Sequence, residues 1–439
     1  MTIKDKLFSI FARDVVLFVT TLLTGVVVAR YLGPEKMGIW TLLLLIPGYA
    51  EAFGRLQLDV SSVYFIGKGK VKLGEATFIL NLVSVITVTV IGLIGFLNID
   101  FLHNQIFKNV EMDVVGLIYG VSFIIPLRFI YINYSYLLIA RERIKSYNKL
   151  VIIQALTTSV LSIGMIVLAD FGILGALMGS IFGLLISIIY GITKVNSIDK
   201  IRPNFNTGLF VEMLKYSSQL YITGLIGFFQ NNIATLIAAL YVAPAQITFF
   251  ALGKSISEIS TKLVPGAVNT ILFPRVSSSN DERGSIELVI RSFRVTLLII
   301  LTTTVMLFYL IKPIVFILYG DDYYPLIDIF VIIITSVVMV QSSSVLMAYL
   351  TGSGNVHLLP KLSILPLLLQ IILSFFLVSD FGIVGIAISY AISSACLFIF
   401  QVIFFLKLTD TKIEALFIKY EDFKTIKNFF SYKIKTLLK

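Results

Sequence analysis

Stretches of about 20 apolar residues alternate along the whole chain with short polar connections. At about 1.5 Å per residue, each stretch is long enough to cross a hydrocarbon core of about 30 Å, and none has the in-out alternation of a barrel strand. Lipid offers no hydrogen-bond partner, so each run must close its own backbone bonds and is predicted to be a helix. Twelve are predicted: about 8–29, 38–64, 77–97, 114–139, 149–169 and 171–193, then about 214–240, 247–275, 288–319, 326–350, 360–379 and 381–406. The expected fold is an all-α polytopic membrane protein.

The two sets of six share an internal repeat. Asp170-Phe171-Gly172-Ile173-Leu174-Gly175 returns as Asp380-Phe381-Gly382-Ile383-Val384-Gly385, an offset of 210. Tyr31 and Pro34 reach Tyr241 and Pro244 at the same offset, and Gly175, Gly179 and Gly183 fall on Gly385, Ser389 and Ser393. A shared offset at distant points predicts duplication of one six-helix lobe. The expected organisation is an N-terminal lobe over 1–205, a C-terminal lobe over 206–407 and a basic amphipathic tail over 408–439. An even number of crossings per lobe puts both copies in the same orientation.

Composition agrees with this reading: 57% of residues are hydrophobic, 14% are charged, and the mean hydropathy is +0.95. The net charge of +10 is unevenly placed. One set of connections, with both ends of the chain, holds 26 Lys and Arg, whereas the opposite set holds only Arg30, Lys36 and Lys108. The positive-inside rule then makes both termini cytoplasmic and assigns the charge to the membrane surface, so nucleic-acid binding is excluded as its explanation. A single cysteine, Cys396, forbids an intramolecular disulfide, and two scattered histidines offer no metal cluster.

The informative residues are charges inside the apolar runs, each costing about 2.5–3.5 kcal/mol at helix centre unless it faces protein or water. Arg13, Arg55, Arg128, Lys254 and Lys262 are the candidates for a cationic cavity that attracts phosphate; Lys312 reads as an interfacial anchor. Glu51, Arg55 and Asp59 are spaced four apart, as are Lys254, Glu258 and Lys262, so each trio shares one helix face. Two readings of these spacings stay open: self-neutralising pairs, or carboxylates (Glu51, Asp59, Glu258) linked to a coupling ion. Arg128 has no neighbour of opposite sign in sequence. Gln230, Asn231 and Asn232 interrupt the seventh run, and with Asn133, Tyr131, Tyr134 and Tyr136 they form a candidate polar lining. Pro47, Pro126, Pro265 and Pro366 lie within predicted helices, where each removes a backbone bond.

Arg30-Tyr31-Leu32-Gly33-Pro34-Glu35-Lys36-Met37-Gly38-Ile39-Trp40, with Leu272-Phe273-Pro274-Arg275-Val276-Ser277 and Leu318-Tyr319-Gly320-Asp321, resembles the Wzx-type polysaccharide (O-antigen and capsule) flippases. These form a branch of the multidrug/oligosaccharidyl-lipid/polysaccharide (MOP) exporter superfamily. The resemblance implies a non-enzymatic transporter with two six-helix lobes and alternating access. Its implied cargo is a polyprenyl-diphosphate-linked oligosaccharide moved to the outer leaflet of a bacterial cytoplasmic membrane. Membrane lipids and a polysaccharide polymerase complex are the implied partners, with no cofactor and with coupling to H+, Na+ or the membrane potential. A multidrug or lipid II exporter of the same superfamily is the nearest alternative. A membrane polysaccharide polymerase or ligase would need a large outer loop, and the predicted outer connections are short.

Overall fold

The computed structural model describes residues 3–110, 114–258, 281–353 and 358–423. The main elements are α1 (Ile3–Gly54), α2 (Leu58–Gly67), α3 (Leu73–Leu97), α4 (Val115–Ser122), α5 (Ile124–Ala140), α6 (Ile144–Val167), α7 (Gly172–Asn196) and α8 (Thr207–Tyr241). A helix over 244–258 is α9. It is followed by α10 (Glu282–Leu318), α11 (Leu326–Gly352) and α12 (Leu358–Thr409). The protein is a multi-pass, all-α membrane protein: nine helices among the described residues are long and apolar enough to cross a bilayer.

Two of the nine are double crossings. Ala12–Gly54 and Leu358–Thr409 contain 43 and 52 residues, about 65 and 78 Å at the α-helical rise, roughly twice the hydrocarbon thickness. Each is divided at a glycine, Gly33 (φ 74°) and Gly382 (φ 55°), in conformations that a side chain would strain. Pro34 then opens the second part of α1, where its missing N–H is no loss. Counting these breaks gives eleven crossings among the described residues; Lys262, Pro265 and Leu272–Ser277 lie outside them. Pro126 falls in the first turn of α5, just after the interruption at Phe123, while Pro47 and Pro366 lie inside α1 and α12.

The repeat is visible in the packing. Gly172 and Gly382, equivalent at the offset of 210, both have left-handed φ, 53° and 55°. In the first copy Gly175, Gly179 and Gly183 lie against Ile166, Ser162 and Thr158 of the antiparallel neighbour α6. In the second, Gly385 meets Leu377, Ser389 shares a 2.7 Å hydrogen bond with Ser374, and the Ser393 hydroxyl donates to the Pro366 carbonyl at 2.7 Å. The same small-residue hairpin is built twice.

The chain forms two compact units, Met1–Phe228 with Val242–Thr248, and Phe229–Tyr241 with Phe249–Lys439. The changeover lies within α8, some 20 residues beyond the expected 205/206 connection. The start of α8 belongs to the first unit because Met213 is fully buried among Leu58, Phe65, Leu73, Leu138 and Leu150. The second unit has its own core, where Phe293, Val345, Leu346, Tyr349 and Phe405 meet. Leu416, on a short 3-10 turn (Ile413–Leu416) beyond α12, is buried in that core. The chain folds back over 410–419, and a helical turn begins at 420–423, where the described residues end. Phe417 and Phe423 in this stretch are exposed; Ile426, Phe429 and Phe430 lie outside the described residues.

Candidate functional site

In the first unit, α1 and α6 run parallel with a constant offset of 135. Arg13 Nη1 donates to Asn148 Oδ1 (3.2 Å), and Thr24 Oγ1 donates to Ser159 Oγ (2.5 Å). Arg13 also donates twice to Asp14 Oδ1, at 3.0 and 2.7 Å, and its guanidinium lies 5.2 Å from the centre of the Tyr147 ring. Asn148 is oriented in turn by donating to the hydroxyl and carbonyl of Ser9.

The expected shared face of Glu51, Arg55 and Asp59 does not form, because the helix breaks between them. α1 ends at Gly54 and α2 starts at Leu58, with Leu56 and Gln57 left-handed at φ 53° and 54°. Each costs about 1–2 kcal/mol of backbone strain for an L residue. The break is held across its gap by an ion pair from Arg55 to Asp59, whose side chain is 2% exposed. Gly224 makes room for it: a Cβ there would lie 2.9 Å from Gln57 Nε2. Glu51, still one helical turn before Arg55, pairs with Arg128 of α5, whose Nη2 donates to Glu51 Oε2 at 3.2 Å. The expectation that Arg128 stands without a counter-charge is thereby corrected. The partner is 77 positions away, which no local spacing could reveal.

The three arginines converge on a tyrosine cluster. The Arg55 guanidinium lies 5.9 Å from the centre of the Tyr136 ring, and Tyr131 is within electrostatic range of Arg13, Arg128 and Tyr147. Tyr147 and Asn148, which hold Arg13, were not among the sequence candidates, and an aromatic beside an amide on a membrane helix is the only signal that could have found them. Tyr134 belongs to the core instead, 2% exposed. Asn133 is also buried, donating to Ser84 Oγ at 2.9 Å. Each arginine thus has one carboxylate, Asp14, Asp59 or Glu51. Pairing of this kind keeps a guanidinium ionised in a poorly solvated place while leaving part of its five-donor fork for another acceptor.

In the second unit, Lys254 Nζ donates to the Asn231 carbonyl at 2.9 Å and lies 4.9 Å from the centre of the Tyr390 ring. Glu258 follows one turn later on α9. Gln230, Asn231 and Asn232 do not interrupt α8, which runs helical through all three. The helix survives because Gln230 bonds sideways, its Nε2 donating to the Ser363 carbonyl at 3.1 Å. Lys262 lies outside the described residues.

A separate buckle orders the connection after α7. Asp199 Oδ2 accepts the Gly74 amide at 3.1 Å, at the start of α3, and its Oδ1 accepts from Arg202 at 3.0 Å. That backbone bond, followed by the Arg202 guanidinium, holds the Asp199 carboxyl below its usual range. Among the described residues no group of three or more His, Cys, Asp or Glu is placed to hold a metal ion.

Residues 27–328 match the family described as "Polysaccharide biosynthesis protein". The chain is 24% identical over 217 residues to a probable low-salt glycan biosynthesis flippase, Agl15, of Haloferax volcanii, an alignment covering 48% of this chain and 45% of that protein. The chain therefore spans about half the length of that curated relative. Among solved structures, it resembles the lipid II flippase MurJ in an inward closed conformation (TM-score 0.76, 15% identity, 94% of this chain and 88% of that one). It also resembles an inward-facing multidrug resistance MATE family transporter of the MOP superfamily (TM-score 0.73, 14% identity, 89% and 94%). At these identities the likeness shows a common fold, that of MOP-superfamily transporters, and the family match covers more than half of the chain. The protein belongs to the polysaccharide biosynthesis protein family.

Proposed function

We propose that the protein is a flippase that carries a polyprenyl-diphosphate-linked oligosaccharide from the cytoplasmic to the outer leaflet of a cytoplasmic membrane, with both termini on the cytoplasmic side. The carrying observation is the arginine cluster of the first unit, in which Arg13, Arg55 and Arg128 each keep a carboxylate partner inside apolar helices. A diphosphate presents the same planar oxygen pairs as a carboxylate but more charge, so it can displace or share those partners on a guanidinium fork. Glu51 and Asp59 then act as placeholders that hold the arginines ionised when no substrate is bound, and Tyr131, Tyr136 and Tyr147 supply hydroxyls and ring faces for sugars. Within the second unit Lys254, beside Tyr390 and the Asn231 carbonyl, is a separate candidate cation.

The protein acts by binding and moving its substrate; no bond is made or broken. Export of an anion is favoured by an inside-negative potential by about 2.3 kcal/mol per charge per 100 mV, so a doubly charged head group gains roughly twice that. Agl15 is described as a probable glycan biosynthesis flippase and MurJ as a lipid II flippase, both in line with a lipid-linked glycan as cargo. Because Arg128 is paired with Glu51, the charge of the first unit does not itself separate a glycan flippase from a multidrug exporter. The family assignment and the arginine forks favour the glycan reading.

Deletion of the gene followed by mass analysis of lipid-linked sugars tests this directly. Accumulation of an undecorated-surface phenotype with a swollen lipid-linked pool is expected, and an unchanged pool rules the proposal out. Arg55→Ala and Lys262→Ala, each retained in the membrane, are expected to impair export; full activity in both removes the cationic site.

A further inference from the structure

A second cluster of cations lies at the opposite kind of place, where the apolar runs end. The first turns of α10 and the chain just beyond α12 enclose a cavity of about 480 Å³ within the second unit. Arg283, Arg291, Arg294 and Lys419 line it, with the hydroxyls of Thr409 and Thr411. Three carboxylates also line it, Glu287, Glu421 and Asp422. Asp422 is committed: 1% exposed, it receives Arg294 Nη2 (3.3 Å) and the backbone N–H of Lys419 (2.8 Å). Arg294 also reaches the Ala415 carbonyl at 3.1 Å, so the buried pair clamps the chain beyond α12 onto α10.

The clamped segment presents a row of large apolar side chains outward. Ile413, Phe417, Tyr420 and Phe423 are 54%, 62%, 75% and 53% exposed. Lys412 and Lys419 are interspersed with them, and the sequence from 424 to 439 adds five lysines and no carboxylate. Exposed aromatics and lysines together at the end of membrane helices match an anionic bilayer interface, where rings sit at headgroup level and ammonium groups meet lipid phosphate. The α10 N-terminus adds its positive end to the same cavity.

We propose that this cavity is a binding site for the phosphate of an anionic phospholipid, held by Arg283, Arg291 and Lys419, with Phe417, Tyr420 and Phe423 inserted among the acyl chains beside it. Arg294 and Asp422 are the structural floor of the site and do not need to release each other. The site differs from the arginine cluster in unit and in ligand, so it does not depend on the flippase reading.

The test uses the full chain in nanodiscs of phosphatidylcholine with graded phosphatidylglycerol, reading retained lipid by native mass spectrometry. Wild type is expected to retain phosphatidylglycerol in preference to phosphatidylcholine. The double variant Arg283→Gln/Lys419→Gln, which leaves Leu416 and the Arg294–Asp422 clamp intact, should retain it roughly tenfold less, as expected for the loss of charge-assisted contacts. Phe417→Ser/Tyr420→Ser should weaken retention without abolishing the preference. Lys36→Gln is the control for bulk charge and should change nothing. Equal retention of both lipids, an equal loss in the control, or full displacement by inorganic phosphate at the same phosphorus concentration would each overturn the proposal.

Discussion

Removing one member of the Arg55–Asp59 pair should do far more damage than removing both. Asp59 is 2% exposed and Arg55 21%, so deleting either charge leaves the other in a poorly solvated place with no counter-ion. Breaking such a pair costs about 3–5 kcal/mol, while replacing both members with apolar residues of similar volume is often neutral. The pair also bridges two left-handed residues, Leu56 and Gln57, whose strain it helps to restrain. Asp59→Ala is therefore expected to lower the thermal midpoint in detergent by about 6–20 °C, at the 2–4 °C per kcal/mol typical of units this large. The double variant Arg55→Met/Asp59→Leu should recover most of that loss, giving a coupling energy of about 2 kcal/mol or more in the cycle. Export should behave differently: the double variant, though stable, should fail to clear lipid-linked sugar because its guanidinium is gone. An Asp59→Ala protein as stable as wild type would refute the buried-pair reasoning. A stable double variant that still exports would refute the role of Arg55 in binding.

Arg128→Glu/Glu51→Arg, which reverses the second pair, should restore folding lost in either single change but not export, measured by membrane abundance and by the lipid-linked pool. Gly179→Leu should cost at least about 1–3 kcal/mol by overpacking, because a Cβ there would already stand 2.5 Å from the Ser162 backbone nitrogen. Gly164→Leu, on the same hairpin with nothing within 4 Å, should be tolerated, and comparison of their thermal midpoints checks both. The Asp199 carboxyl titrates below its ordinary value of 3.8, so its bond to Gly74 stabilises above that pH and is lost as pH falls through the lowered value. Protection of the Gly74 amide, taken as its hydrogen-exchange rate relative to the intrinsic rate at each pH, should fall in acid in wild type, whereas Asp199→Ala should remove it at neutral pH too.

Helix positions were readable because lipid imposes a single strong rule, about 20 apolar residues per crossing, and the described helices obey it. The glycine at 172 and its copy at 382 were readable because the repeat marked them, and both are left-handed. The pairing of the charges was readable only where it is local, as between Arg55 and Asp59 or Arg13 and Asp14. Glu51, Arg55 and Asp59 have the spacing of a continuous helical face, and only the break at 55–57 separates them, a feature fixed by tertiary contacts such as that with Gly224. Arg128 finds Glu51 and Arg13 finds Asn148 across 77 and 135 positions, distances at which no periodicity carries information. In the tail, burial of Leu416 and Asp422 pins the chain beyond α12, which no spacing of apolar residues announced.

Duplication explains which features are shared and which are not. The left-handed glycine and the small-residue hairpin recur in both units because they serve packing, and packing is the same in each lobe. The charges do not recur: Arg13 and Arg55 map at 210 further on to Thr223 and Pro265, and Lys254 maps back to Leu44. In the first unit every candidate arginine sits with a carboxylate, and in the second Lys254 donates to the Asn231 carbonyl and faces the Tyr390 ring, with Glu258 one turn away on the same helix. Guanidinium forks anchored by carboxylates are stiff and directional; an ammonium on a flexible stem is neither. Packing alone does not require these differences, so the divergence of the charged positions marks the residues whose roles go beyond the shared scaffold.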